Sequence, residues 1–144
     1  MKILVIHGPN LNLLGKRDPE KYGSFTLEEI NRILTKQAKT LDCHVVFFQS
    51  NHEGAIIDFL QKDSSRASDG ILINPGALVR YGFSLRQALI DLEKPVVEVH
   101  MSNIEHTGIN KTVNVLEDVR VDQAVGLKEQ SYVVGLIKLL QTII

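Results

Sequence analysis

Four short apolar runs, each followed by a polar turn and then by a helical pattern, constrain the fold of this chain more than any other feature. The runs are Lys2–Ile6, Cys43–Gln49, Gly70–Ile73 and Pro95–Val99. They are mostly apolar and rich in β-branched residues, which is typical of strands covered on both faces. Strands that alternate with helices favour right-handed crossovers and a parallel sheet between two helical layers.

Helices are predicted where apolar residues recur at helical spacing between these runs. Thr26-Leu27-Glu28-Glu29 matches a capping box, in which the threonine hydroxyl accepts a hydrogen bond from the Glu29 N–H, and an apolar face follows it. Further helices are predicted over 55–61, from a second capping-box pattern at Ser84-Leu85-Arg86-Gln87, and over 131–143.

The rest of the chain carries weaker patterns. Residues 62–69 predict a polar return loop, and a fifth strand is expected within 119–127. Five strands in 144 residues predict a flavodoxin-like α/β fold, a three-layer sandwich around a parallel sheet of order 2-1-3-4-5. The whole chain, residues 1–144, is then expected to be a single domain.

Composition excludes several classes of protein. Sixteen basic and seventeen acidic residues give a net charge of −1, whereas nucleic-acid binders need a basic excess. No apolar run has the length of a membrane span, and Gly8-Pro9-Asn10 cuts the first run too short for a signal peptide. Cys43 is the only cysteine and the histidines lack close helical pairing, so no metal site is expected. We expect a cytoplasmic protein that uses no cofactor and binds neither nucleic acid nor membrane.

The segment Ile6–Ser24, called the lid below, is the main candidate for a functional loop. Its connection of about 18 residues exceeds the two to six that usually join a strand to a helix, and glycines and prolines divide it into short pieces. The polar side chains of Asn10, Asn12, Arg17 and Tyr22 stand between them. Asn10 is expected to shape a turn, and the other three to meet a ligand.

Polar residues follow the first, third and fourth strands at the points where those strands end. The polar residues of the lid follow the first strand, Asn74-Pro75 follows the third and His100-Met101-Ser102 follows the fourth. The carboxyl ends of parallel strands meet at one edge of the sheet, where ligands bind in this fold class. We therefore expect one crevice whose phenol, guanidinium, imidazole, carboxylate and amides perform acid–base chemistry on a small polar molecule.

Tyr22 is the candidate base. A free phenol has a pKa near 10, too high for efficient proton removal at neutral pH, but a guanidinium within roughly 4–6 Å favours the phenolate. Arg17, five residues earlier in the lid, can supply that charge. On spacing alone the simpler interpretation, a tyrosine that anchors the loop beside a surface arginine, is favoured.

His100 is the candidate acid. Strand alternation places Glu98 on the same sheet face, so a Glu98–His100 hydrogen bond is expected to fix the imidazole tautomer and to favour the protonated ring. A strand-end histidine held by backbone groups, with Glu98 in a structural ion pair, explains the spacing equally well. Asn12 and Asn74 can donate hydrogen bonds to an oxyanion or to a substrate hydroxyl.

Several blocks of this sequence, in the same order, are similar to those of type II 3-dehydroquinate dehydratases. The blocks are Gly8–Gly15, Arg17-Asp18-Pro19, Tyr22-Gly23, Gln49–Gly54, Ile73-Asn74-Pro75 and Val97–Asn103. The first three-quarters of the chain thus resembles this metal-free family. The resemblance reverses the preference for purely structural roles of Arg17, Tyr22 and His100.

The resemblance implies an anti elimination of water from 3-dehydroquinate, through an enolate, to give 3-dehydroshikimate. Tyr22, activated by Arg17, would remove the proton next to the ketone, and a water held by Asn12 would stabilise the enolate. His100, oriented by Glu98, would protonate the departing hydroxyl.

The resemblance also implies how substrate is bound and how subunits assemble. Asn74 and the backbone of Met101 and Ser102 would hold the hydroxyl and carboxylate end of the substrate. The family assembles as dodecamers of four trimers, with a neighbouring subunit contributing to each site, so a homo-dodecamer is implied.

Three positions on the substrate side depart from the family. Arg80 stands where the family carries a substrate-binding histidine, and Gln87 stands where an aspartate reaches into the neighbouring subunit's site. Lys111 is at best the counterpart of a substrate-binding arginine. Two alternatives therefore accompany the dehydratase: a paralogue that acts on a related cyclic hydroxy-keto acid, and a non-catalytic binding protein that keeps the fold.

Overall fold

The computed structural model describes residues 1–103 and 112–144. Within them one five-stranded sheet is formed by β1 (Lys2–His7), β2 (His44–Gln49), β3 (Gly70–Asn74), β4 (Val96–His100) and β5 (Asp122–Val125). All neighbouring strands are parallel and the order is β2-β1-β3-β4-β5. The predicted flavodoxin-like order is confirmed, and so is the fifth strand within 119–127.

Six α-helices lie in the described ranges. They are α1 (Pro19–Tyr22), α2 (Leu27–Thr40), α3 (Glu53–Leu60), α4 (Asp63–Arg66), α5 (Phe83–Leu92) and α6 (Gln130–Ile143). Two 3-10 helices, Leu11–Leu13 and Gly76–Arg80, follow β1 and β3. None of the helices described has the length and hydropathy that crossing a membrane requires.

The two faces of the sheet bury separate apolar clusters. Helices α2 and α6 cover one face, where Leu34 and Leu136 pack with Val97. Helices α3 and α5 cover the other, where Ile56 and Leu85 pack with strand residues of the opposite parity. Strands β3 and β4 are buried at every position, which explains why apolar residues occupy both faces of each strand; Asn74, Glu98 and His100 are the buried polar exceptions.

The predicted start of α2 is confirmed, whereas the predicted return loop over 62–69 is wrong in part. Thr26 and Glu29 form both hydrogen bonds of the capping box. Within 62–69 the chain forms the short helix α4. Ser65 and Ser68 stabilise this turn because their hydroxyls donate to backbone carbonyls at 2.6 Å, which a prediction based on polarity alone does not detect.

The predicted capping box at the start of α5 is wrong. The helix begins at Phe83, and its N-cap residue Gly82 has no side chain with which to cap it. Instead the carboxylate of Glu53 accepts a hydrogen bond from the Leu85 N–H at 2.9 Å. A residue 32 positions away thus serves as the cap, so no local pattern could reveal it.

The loops after β1 and β3 pack backbone against backbone at the carboxyl edge of the sheet. The Gly8 N–H donates to the Asn74 carbonyl at 2.8 Å, and a Cβ at Gly8 would lie only 2.5 Å from the Pro75 oxygen. Gly76, with a φ of 57°, faces Pro9 on the other side of this contact, where an added Cβ would lie 3.1 Å from the Pro9 oxygen. The base of the lid is therefore fixed to the turn after β3.

Candidate active site

The lid is more regular than its sequence suggests. It contains the 3-10 helix Leu11–Leu13 and then α1, where the Asp18 side chain accepts from the Glu20 N–H at 3.0 Å. Leu11 and Leu14 are buried in the cluster beneath α2. These apolar anchors hold the lid against the domain at the carboxyl edge of β1.

Polar groups after β2 support the first residues of the lid. Asn10 adopts a φ of 70°, and its N–H donates to the Asn51 side-chain oxygen at 2.9 Å. The Gln49 amide donates to the Gly8 carbonyl at 3.3 Å. Asn10 therefore shapes a turn, as the sequence predicts.

Arg17 and Tyr22 come together in the lid, as the sequence predicts. The guanidinium carbon lies 3.9 Å from the centroid of the Tyr22 ring, so the cation stacks on the ring face. The ring itself packs against the apolar cluster beneath α2. Gly15 and Gly23, with φ of 93° and 76°, bracket the segment that carries both residues.

Glu98 and His100 form a buried pair at the end of β4. The imidazole Nε2 lies 2.5 Å from Glu98 Oε2, and the two residues are 3% and 0% exposed, respectively. The expected hydrogen bond between alternate residues of one strand is confirmed.

Two residues that sequence analysis did not single out also bind Glu98. Arg120 Nη1 donates to Glu98 Oε1 at 2.7 Å, and Asn114 Nδ2 donates to Oε2 at 2.9 Å. Arg120 precedes β5, which pairs with β4 so that Gln123 lies opposite Glu98. Buried charges in proteins are usually paired with an opposite charge. The position of Arg120, a basic residue just ahead of the neighbouring strand, was therefore the one sequence signal that could have identified it as the partner of Glu98.

The charge of Glu98 is fixed by these partners. Burial by itself raises the pKa of the Glu98 carboxyl, but hydrogen bonds and positive charge from His100 and Arg120 outweigh it and lower that pKa below its ordinary value. Glu98 is therefore a carboxylate at neutral pH and accepts from all its donors.

Asn74 is fixed at the end of β3. Its side-chain oxygen accepts from the Gly76 N–H at 3.1 Å, and its Nδ2 donates to the Tyr132 hydroxyl at 3.1 Å. The residue is 3% exposed, and these two hydrogen bonds fix the orientation of its amide. In the sheet it pairs with His7 of β1, beside the base of the lid.

A buried chain of hydrogen bonds continues from Asn74 beneath the site. His7 Nε2 lies 2.8 Å from the Asn31 side-chain oxygen, which can only accept, so Nε2 carries the proton. His7 Nδ1 then accepts from the Tyr132 hydroxyl at 2.8 Å. Burial lowers the pKa of His7 to about 4 and raises the pKa of Tyr132. Both groups are neutral at pH 7, so the hydrogen bonds all run in one direction, from Asn74 through Tyr132 and His7 to Asn31.

We expect this histidine to make folding pH-dependent. Below its ordinary pKa of 6.5 the unfolded chain binds a proton at His7, whereas the folded chain does so only near pH 4. Stability is therefore complete above pH 6.5 and decreases as the pH falls toward 4, by about 3 kcal/mol over the window. Urea unfolding at pH 7 and pH 4.5 measures the difference.

Two variants isolate the contribution of His7. His7→Gln should reduce the difference in unfolding free energy between the two pH values, whatever its own stability at pH 7. His44→Gln, at an exposed position, should keep the parent's difference. An equal pH dependence in the parent and in His7→Gln would contradict the expectation.

The other lid and strand-end candidates lie along the same edge of the sheet. Asn12 is exposed in the first 3-10 helix. Met101 is buried and Ser102 half-buried directly after His100, and the Met101 carbonyl accepts from the Lys128 N–H at 3.0 Å.

Arg80, Gln87 and Lys111 are the predicted residues that depart from the family. Arg80 ends the second 3-10 helix, where its guanidinium donates to the Val113 carbonyl at 2.7 Å. Gln87 is exposed on α5 and donates to Asp91 at 2.8 Å. Lys111 lies outside the described residues.

The described side chains also bear on metal binding. Across 1–103 and 112–144 no group of three or more His, Cys, Asp or Glu residues is placed to hold a metal ion. Two pairs of candidate side chains are each in contact, Arg17 with Tyr22 and Glu98 with His100.

Comparisons with known proteins identify the family of this chain. The profile of the family described as dehydroquinase class II matches residues 1–140. A 3-dehydroquinate dehydratase from Roseiflexus castenholzii is 51% identical over 142 residues, which cover 99% of this chain and 90% of the relative. Another from Halothermothrix orenii is 49% identical over 135 residues, 94% and 90% of the two chains. The crystal structure of type II dehydroquinase from Butyrivibrio crossotus superposes with a TM-score of 0.91 at 39% identity and covers 97% of each chain.

Proposed function

This chain belongs to the class II dehydroquinase family, and on that premise we propose that Arg17, Tyr22 and His100 carry out its reaction. The chain is a 3-dehydroquinate dehydratase, a hydro-lyase that eliminates water from 3-dehydroquinate. Its relatives favour this activity over a related hydroxy-keto acid substrate and over a non-catalytic protein. The contact between the Arg17 guanidinium and the Tyr22 ring carries the proposal, because a neighbouring cation is what makes a phenol basic.

In the first step the Tyr22 phenolate removes the proton from the carbon next to the ketone. The electron pair of the broken C–H bond moves to the ketone oxygen and forms an enolate. A water held by Asn12 stabilises this oxyanion. The Arg17 guanidinium stabilises the phenolate of Tyr22 until it takes the proton from the substrate carbon.

In the second step the enolate re-forms the ketone and expels the hydroxyl group. His100 donates a proton to that hydroxyl, so that water leaves and the conjugated enone remains. Nε2 of the ring is hydrogen-bonded to Glu98, so the proton that His100 transfers comes from Nδ1. His100 then takes up a proton from solvent, and Tyr22 releases to solvent the proton that it removed from the substrate.

Substrate positioning is assigned to the remaining candidates. The fixed amide of Asn74 and the backbone of Met101 and Ser102 bind the hydroxyl and carboxylate end of the substrate. Arg80 and Lys111 serve the distal groups, and Gln87 faces the site of a neighbouring subunit. A cytoplasmic homo-dodecamer of four trimers completes the proposal and rests on the resemblance to the family.

Absorbance provides the direct test. Purified protein mixed with 3-dehydroquinate should produce the ultraviolet band of a conjugated enone, and product analysis should identify 3-dehydroshikimate. Added chelator should not reduce the rate. Absence of turnover at high enzyme concentration, in a preparation whose circular dichroism shows a folded protein, would refute the dehydratase proposal.

A further inference from the structure

The carboxylate of Glu98 is shared among donors from three parts of the fold. His100 reaches Oε2 from the same strand, Arg120 reaches Oε1 from the turn before β5, and Asn114 reaches Oε2 from the segment that follows β4. Glu98 is fully buried, and the Arg120 side chain is 14% exposed. Among the described residues, His100 and Arg120 are the titratable groups bonded to this carboxylate.

Asn114 and Arg120 reach Glu98 because they occupy the two ends of one turn, residues 114–120. The Asn114 side-chain oxygen accepts from the Leu116 N–H at 2.9 Å, and the Arg120 N–H donates to the Leu116 carbonyl at 2.9 Å. Arg86 fixes the same turn from outside, through the Val115 carbonyl at 2.8 Å and an ion pair with Asp118. The turn thus delivers an amide and a guanidinium to one buried carboxylate.

The charges in this cluster affect how readily His100 gives up a proton. With Glu98 alone, the protonated imidazole would form a neutral pair, and loss of its proton would leave an uncompensated buried anion. With Arg120 present, loss of the proton leaves a neutral Glu98–Arg120 pair, whereas the protonated cluster carries one positive charge. A buried net charge is unfavourable, so the guanidinium favours release of the proton.

We propose that Arg120 and Asn114 are positioning residues for the proton donor of the dehydratase reaction. Asn114 and Arg120 hold the Glu98 carboxylate so that Oε2 faces His100, and the Arg120 charge makes the imidazole release its proton to the departing hydroxyl more easily. The inference rests on the proposed role of His100 as the acid. Neither residue is assigned a contact with substrate.

The test compares Arg120→Met with Arg120→Lys and with Arg86→Met. In Arg120→Met, kcat at pH 7 should fall roughly 3- to 10-fold with little change in KM. The pH at which kcat declines on the alkaline side should rise by about one unit, because the imidazolium no longer faces a second cation. Arg120→Lys should restore most of the parent profile. Arg86→Met, which loosens the same turn without removing a Glu98 partner, should leave the alkaline decline where it is.

An NMR titration of the His100 ring gives a readout that does not need turnover. Its midpoint should rise in Arg120→Met and stay at the parent value in Arg86→Met. An unmoved midpoint, or an equal shift in Arg86→Met, would overturn the inference even in an active enzyme. A parent protein without activity on 3-dehydroquinate, but with the expected shift of the midpoint, would overturn the proposed function and leave the charge effect established.

Discussion

Replacing Tyr22 with phenylalanine is expected to lower kcat roughly 100- to 10,000-fold while the protein stays folded. The substitution removes only the hydroxyl, so the ring keeps its packing against the cluster beneath α2 and its contact with Arg17. No other group is proposed to take the proton next to the ketone. KM should change little, because the phenol is proposed to act in the transition state and not in binding. Steady-state absorbance assays and thermal unfolding measure both effects.

Matched variants make this prediction specific. Tyr81→Phe removes a hydroxyl from a tyrosine that is 56% exposed, and it should behave as the parent protein does. Arg17→Ala should also lose activity, but in heavy water its exchange of the proton next to the ketone should recover in part at high pH, where a phenol ionises without help and that step does not need the His100 proton. Tyr22→Phe should not recover. If Tyr22→Phe kept most of the parent's kcat, the base would have to be another group.

His100→Gln is expected to lower kcat by a similar factor, roughly 100- to 10,000-fold, for a different reason. Glutamine can still donate a hydrogen bond to Glu98, but it cannot transfer a proton to the departing hydroxyl. The enolate should therefore form and return to substrate without losing water. His44→Gln, a histidine at the exposed start of β2, is the matched control and should keep full activity.

Deuterium exchange separates the two variants. In heavy water, His100→Gln should still exchange the proton next to the ketone of recovered 3-dehydroquinate, because Tyr22 and Arg17 are intact. Tyr22→Phe should not. A His100→Gln variant that neither exchanges nor eliminates would mean that His100 is needed before or during proton removal, contrary to the proposed order of steps.

Contacts within one element or one loop were predictable from the sequence. Glu98 and His100 are alternate residues of one strand, so the pleat alone brings them together. Arg17 and Tyr22 are five residues apart in the lid, and their contact was predicted with the help of the resemblance to the family. The strand order likewise follows from alternating apolar runs and helices, which leave few ways to cover a parallel sheet.

Contacts between distant parts of the chain were not predictable in this way. Arg120 meets Glu98 only because β5 pairs with β4, and Glu53 caps α5 only because α3 and α5 pack side by side. Such partners depend on the register and packing of the finished fold. They are polar groups whose local sequence offers no periodic or capping signal.

The two glycines with positive φ at Gly15 and Gly23 have a consequence for how the enzyme meets its substrate. Glycine permits backbone rotation that other residues resist, so a displacement of the lid that pivots at these two positions carries Arg17 and Tyr22 as one rigid piece. The stacked cation and ring would then move together, because both lie between the two glycines. The pair proposed as the base is thus held together by a contact within the lid itself.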